Sequence, residues 1–94
     1  MEFGEFEWDD EKNRLNIKEH GIDFQTAIKA FEDDRSIPYS DPEHSVIGEP
    51  RYVLIGMCPA GLVFVSFTYR GERCPMISAR KASKRMHKIY AEND

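Results

Sequence analysis

Cysteine is scarce in this 94-residue chain, and its two copies, Cys58 and Cys74, have neither metal-ligand spacing nor a companion cluster. That excludes a zinc module and a disulfide scaffold, and leaves two thiols expected to be reduced, as in a cytoplasmic protein. No secretory apolar segment opens the acidic N-terminus, and no apolar run approaches the roughly 20 residues needed to cross a bilayer, so a membrane protein is not expected. Glycine-rich phosphate loops and nucleophile elbows are missing as well, which removes nucleotide-binding enzymes of those kinds and α/β-hydrolases. Acidic residues are numerous but dispersed over helix caps and loop tips, so neither a two-metal nuclease site nor any other metal or cofactor is expected. Repeats, low-complexity stretches and linkers are absent, and the one loose region is about 33–50.

Cations are scarce in one half only. Residues 1–50 hold 5 Lys and Arg against 14 Asp and Glu, a net of −9, whereas residues 51–94 hold 8 against 3, a net of +5. The formal −4 of the whole chain therefore hides a polarised molecule whose positive half is the expected nucleic-acid face. The length and the 40% hydrophobic content fit one domain over residues 1–94, small enough that a stabilising partner is plausible.

The expected elements make an α+β domain with two N-terminal helices, an antiparallel meander and a C-terminal helix. Glu5 to Trp8 alternates as a short strand. Asp9 or Asp10 caps a helix to His20, stopped by Gly21, on which Trp8, Lys12, Asn16 and His20 share one side. Asp23 caps a second helix in which Phe24, Ala27, Ile28 and Phe31 keep helical spacing. Beyond a short strand near Ile37 come a hairpin of Arg51–Met57 and Leu62–Tyr69, a turn at Arg70-Gly71, and a third run, Glu72–Ser78. Pro75 should put that run on an edge or at a bulge. The closing helix is expected over about Ala79–Ala91, burying Ala79, Ala82, Met86, Ile89 and Tyr90.

That boundary places Arg80 and Lys81 in a first helical turn, where unpaired N–H groups already carry partial positive charge. An anion, most naturally a phosphate, would complete such a site. Lys84, Arg85 and Lys88 have the spacing of a solvated face and are suited to backbone electrostatics or partner contact.

The residues Trp8-Asp9, Lys12, Asn16, His20-Gly21, Phe24, Ala27, Arg51-Tyr52, Gly56, Arg70-Gly71, Ile77 to Ala82 and Tyr90 occur in an order that resembles the BrnT family. These are ribonuclease toxins of bacterial toxin–antitoxin pairs with a RelE-like fold. The resemblance covers nearly the whole chain. It implies RNA cleavage without a metal, inhibition of translation, and neutralisation by a small DNA-binding antitoxin of the BrnA kind. It further implies contact with operator DNA only through that antitoxin, shared autoregulation, and a heterotetramer. The chain departs from the family pattern at Pro75, where an arginine is usual, and at Met86, where a glutamate is common.

Metal-free RNA cleavage uses the substrate's 2′-hydroxyl as nucleophile, so the protein must orient it, neutralise the phosphoryl oxygens and move two protons. Arginine suits the second task. Arg80, Arg51, Arg70 and Arg73 are the candidates to converge on phosphate, although Arg51 and Arg73 are equally placed to pair with Glu49 and Glu72. Lys81, Lys84, Arg85, Lys88 and Tyr69 are candidates for RNA binding. Among the histidines, His20 is either a helix-end hydrogen-bonder or a site residue, His87 is a surface residue that its cationic neighbours would favour as a base, and His44 lies in the acidic loop away from the expected chemistry. No residue is singled out as the general base. Two rivals stay open: a catalytically weak RNA- or protein-binding domain, and a regulatory partner of a DNA-binding protein.

Overall fold

The computed structural model describes residues 2–93. Its elements run β1 (Glu2–Phe3), β2 (Phe6–Glu7), α1 (Asp10–His20), α2 (Phe24–Ala27), a 3₁₀ segment Ile28–Glu32, β3 (Ile37–Ser40), a second 3₁₀ turn Pro42–His44, β4 (Tyr52–Cys58), β5 (Gly61–Phe67), β6 (Cys74–Lys81) and α3 (Lys84–Glu92). Helix α1 starts where Asp9 accepts the Glu11 N–H and stops at left-handed Gly21, whose N–H donates to Ile17 O. Its acidic first turn and basic last turn suit the helix dipole. An apolar stripe does not hold it, because Leu15 and Ile17 are exposed. The buried Asn16 does: its amide donates to Ile22 O and Ala79 O, and accepts from Ala79 N.

Asp23 caps α2 through the Thr26 N–H, and the expected second helix lasts one turn before tightening into the 3₁₀ segment. Phe24, Ala27, Ile28 and Ala30 are buried there against the sheet, with Leu54, Val63, Val65 and Met76 opposite. Gly56 permits the contact, since a Cβ at that position would stand 2.8 Å from Ala30 O.

The sheet order is β1-β2-β6-β5-β4-β3. Strands β3 to β6 form the expected antiparallel meander, but β2 joins β6 in parallel, so the sheet is mixed. Pro75 pairs with Glu7 of the two-residue β2, close to a register shift at Ser66/Phe67. Alternation along β5 buries Val63, Val65 and Phe67 and turns Phe64 and Ser66 to the opposite face. The register then sets Phe64 beside Arg80 and Ser66 beside Ser78.

The expected closing helix is corrected at its start. Strand β6 continues through Ala79, Arg80 and Lys81, paired with Val65, Phe64 and Val63, and Ala82 N donates to Leu62 O. Local helix propensity loses to the ladder with β5 and to Asn16, which completes the outer edge of β6 at Ala79. The helix begins at Lys84, five residues later than expected, after Ser83, whose Oγ accepts the Met86 N–H. Arg80 and Lys81 are therefore strand residues, and no helix dipole acts on them. Ala79 is buried as a strand residue, whereas Ala82, Met86, Ile89 and Tyr90 are only half-buried.

Polar contacts hold α3. Tyr90 donates its hydroxyl to Asp33 Oδ2 at 2.7 Å, and the Arg35 guanidinium lies over the Tyr90 ring. Burial pushes the Asp33 pKa up, but bonds from Tyr90 and from the Met57 and Arg35 N–H groups, with the Arg35 charge, outweigh it. The net pKa is lowered. Asp33 thus contributes stability that is whole above the ordinary carboxylate pKa of about 3.9 and is lost as pH falls through the lower folded value. Amide protection in α3 is expected to fall below about pH 4 before that of β4 and β5. Asp33→Asn should remove this pH dependence, as hydrogen exchange would register. Among the described residues no helix is long and apolar enough to cross a membrane.

Candidate active site

On the sheet face turned away from α1 and α2, a polar hollow of about 290 Å³ opens between Arg51 and Arg80. Its floor is Phe64 and Ser66, which alternation along β5 puts on one face, with the consecutive Ile77 and Ser78 of β6, where the register shifts between Ser66 and Phe67. Arg80 crosses the floor with its guanidinium 5.0 Å from the Phe64 ring centre. Among the described residues no carboxylate lies within ion-pair distance of it. Arg51, just before β4, reaches Glu49 at 3.5 Å through one terminal nitrogen, while its buried Nε has no hydrogen-bond partner. A buried donor left unpaired costs about 1–3 kcal/mol, so the hollow suits an acceptor that would satisfy it.

Asp41 and His44 form the remaining wall. They come from a loop clasped at its base: Asp41 N donates to Arg51 O, Ser45 Oγ donates to Asp41 O, and Arg51 N donates to Ser45 Oγ, each at 2.8 Å. Thr68 Oγ1 also donates to Pro50 O. The Pro42–His44 turn folds His44 back on Asp41, giving a 2.8 Å bond from Nδ1 to Oδ2. His44 is thus the residue that the sequence reading left out. Its signal was the Asp-Pro-Glu-His spacing, which a proline-started turn closes into a pair.

The other candidates are distributed elsewhere. Arg70 borders a separate hollow of about 560 Å³ with Trp8, Asp9, Asp10 and Lys12. Arg73 does not pair with Glu72. It bonds Glu7 at 3.1 Å, Gly4 O at 2.6 Å and Phe6 O at 2.8 Å, fastening the N-terminal hairpin to the turn before β6. Arg51 and Arg80 therefore come together, and Arg70 and Arg73 do not join them. His20 lines a hollow of about 200 Å³ with Lys12, Ile77 and Ser78, and its Nε2 lies 3.9 Å from Glu19. Lys12 is shared with the Arg70 hollow, and Ile77 and Ser78 with the Arg51–Arg80 hollow, so the three form a chain along β6.

Lys81 donates to Ala60 O at 2.9 Å, and Lys84, Arg85 and Lys88 are exposed on α3. Tyr69 is half exposed and makes edge contacts with Tyr52 and Phe67. Cys74 is buried, which, with Glu5 nearby, pushes its thiol up to about 12 and leaves it no nucleophile. Among the described residues no three His, Cys, Asp or Glu side chains are grouped as metal ligands.

The profile of the ribonuclease toxins called BrnT, from type II toxin–antitoxin systems, matches residues 8–85. This chain belongs to the BrnT family. The matched span contains Asp41, His44, Arg51 and Arg80 as well as Lys12, His20, Arg70 and Arg73. No curated protein matches the toxin.

Proposed function

We propose that this BrnT-family toxin cleaves RNA without a metal ion, at the hollow between Arg51 and Arg80. The two guanidinium groups hold the non-bridging oxygens of the scissile phosphate, and Ser66 and Ser78 supply hydroxyl donors on the floor. The neighbouring 2′-hydroxyl then attacks in line. The observation that carries the reading is the buried, unpartnered Nε of Arg51 in one hollow with Arg80, which has no ion pair among the described residues. Charge stabilisation of this kind acts most strongly where donors are already fixed, as the clasped loop fixes Arg51. Cutting cellular RNA in this way would inhibit translation. A DNA-binding antitoxin of the BrnA kind would restrain the toxin by covering Arg80 and the basic face of α3, in a heterotetramer that represses its own operon through the antitoxin. Complementary charge would speed that association, and apolar anchors would hold it.

Purified toxin is expected to cut RNA in excess EDTA and to leave 2′,3′-cyclic phosphate ends. An oligonucleotide with 2′-deoxyribose at the cut position should resist completely. Cleavage of the deoxy substrate at the same bond, or loss of activity on chelation, would overturn the mechanism.

A further inference from the structure

The Asp41–His44 pair has the geometry of a proton-transfer device, and the reading above gives it no part. We propose that His44 is the catalytic base that takes the proton from the attacking 2′-hydroxyl, and that Asp41 is the residue that positions it. This rests on the proposed cleavage at the Arg51–Arg80 hollow.

Three observations support the assignment. Asp41 Oδ2 accepts from His44 Nδ1 at 2.8 Å, which fixes the tautomer and leaves the Nε2 lone pair as the ring's acceptor. A base held by a third group in this manner is the arrangement used to activate hydroxyl nucleophiles. Second, His44 lines the same hollow as Arg51 and Arg80, so base and phosphate clamp flank one space. Third, Asp41 N donates to Arg51 O at 2.8 Å, which ties the base of the device to the strand start that bears one half of the clamp. The charged side chains that line the hollow with the imidazole are Asp41, Arg51 and Arg80, Arg51 being paired with Glu49 at 3.5 Å, and Glu43 precedes His44 in the same turn. His20 lacks such an arrangement: its nearest carboxylate is 3.9 Å away, and its hollow contains Lys12 but neither arginine of the clamp.

In the step itself, His44 Nε2 removes the 2′-hydroxyl proton as the 2′-oxygen bonds to phosphorus and the bond from phosphorus to the 5′-oxygen breaks. The departing 5′-oxygen takes a proton from water, and the resulting hydroxide recovers the proton held by His44. The products are a 2′,3′-cyclic phosphate and a 5′-hydroxyl, with no net change in the enzyme.

The test is single-turnover cleavage of a short oligoribonucleotide by wild type, H44A, D41N and the double variant, together with binding of the 2′-deoxy analogue. His44 has a side chain 71% exposed, so H44A is expected to fold normally. H44A should lose about 10²–10⁴-fold in rate and bind the deoxy analogue as wild type does. Added imidazole should restore part of the rate. D41N should slow the wild type but add nothing in the H44A background, because its effect passes through His44. An H44A that cleaves at the wild-type rate, that imidazole does not rescue, or that loses deoxy-analogue binding in proportion to rate overturns the assignment. If the wild type itself leaves no cyclic phosphate, the underlying cleavage reading falls with it.

Discussion

Replacing Arg51 and Arg80 together with alanine is expected to slow RNA cleavage by about 10³-fold or more while barely moving the unfolding midpoint. Removing one preorganised donor to a developing oxyanion typically costs about 10²–10³ in rate. The two share one phosphate, so their effects should fall short of additive. Neither side chain contributes much to the fold. Arg80 is exposed, with an aromatic contact to Phe64. Arg51 has a single 3.5 Å ion pair with Glu49 and a buried Nε without a partner. A surface pair of that kind contributes about 0–1 kcal/mol, and relieving a buried unpaired donor offsets part of it. Lysine at either position should rescue little, because a point charge does not reproduce a planar fork across two oxygens. Urea unfolding beside single-turnover kinetics separates the possibilities. A double variant that cleaves normally would remove the hollow from the mechanism. One that unfolds early would make the arginines structural.

Which residues enter that hollow was only half visible in the sequence, and the reasons are physical. Elements fixed by local signals are legible: the Asp9 cap and Gly21 stop of α1, the Asp23 cap of α2, and the β-branched and aromatic runs of β4 and β5. Arg51 and Arg80 are legible as candidates, but the helix start that points to Arg80 is absent from the fold. Ala79 to Ala82 reads locally as a helix start, yet β5 needs a partner as far as Val63, and that demand carries the strand to Lys81. Ser83, the true cap, was the available sign. His44 is hidden in the sequence because its neighbours there are acidic. Folding sets it instead in one hollow with Arg51 and with Arg80, 36 residues further along the chain. Arg73 shows the opposite case. Its partners Gly4, Phe6 and Glu7 lie more than 60 residues away, beyond any local pattern.

Asn16 carries the largest expected effect on stability. Its side chain shares one side of α1 with Lys12 and His20, and helical spacing alone does not set it apart from them. In the fold it is a buried polar group that substitutes for a missing strand. Among the described residues the outer edge of β6 pairs only with the short β2, so Ala79 presents both N–H and C=O to α1. Asn16 answers both, donating to Ala79 O at 2.8 Å and accepting from Ala79 N at 3.0 Å, and it donates to Ile22 O at 2.8 Å as well. Asn16→Ala leaves three backbone groups unsatisfied in the interior, each costing about 1–3 kcal/mol if water cannot reach it. A total of about 3–5 kcal/mol is expected, set against the 5–15 kcal/mol that typically holds a domain together. Asn16→Asp should be no better, since a carboxylate accepts from Ala79 N but repels the two carbonyl oxygens. Asn13→Ala is the control: it removes one part-buried bond to Phe24 N and should cost about 1 kcal/mol. Because Ala79 precedes Arg80, loosening this edge should also lower cleavage, and in step with the folded fraction, unlike Arg80→Ala. Denaturant midpoints for the three variants decide the matter. An Asn16→Ala toxin that unfolds at the wild-type midpoint would mean that the β6 edge is satisfied by some other route, and that α1 is held by its apolar contacts after all.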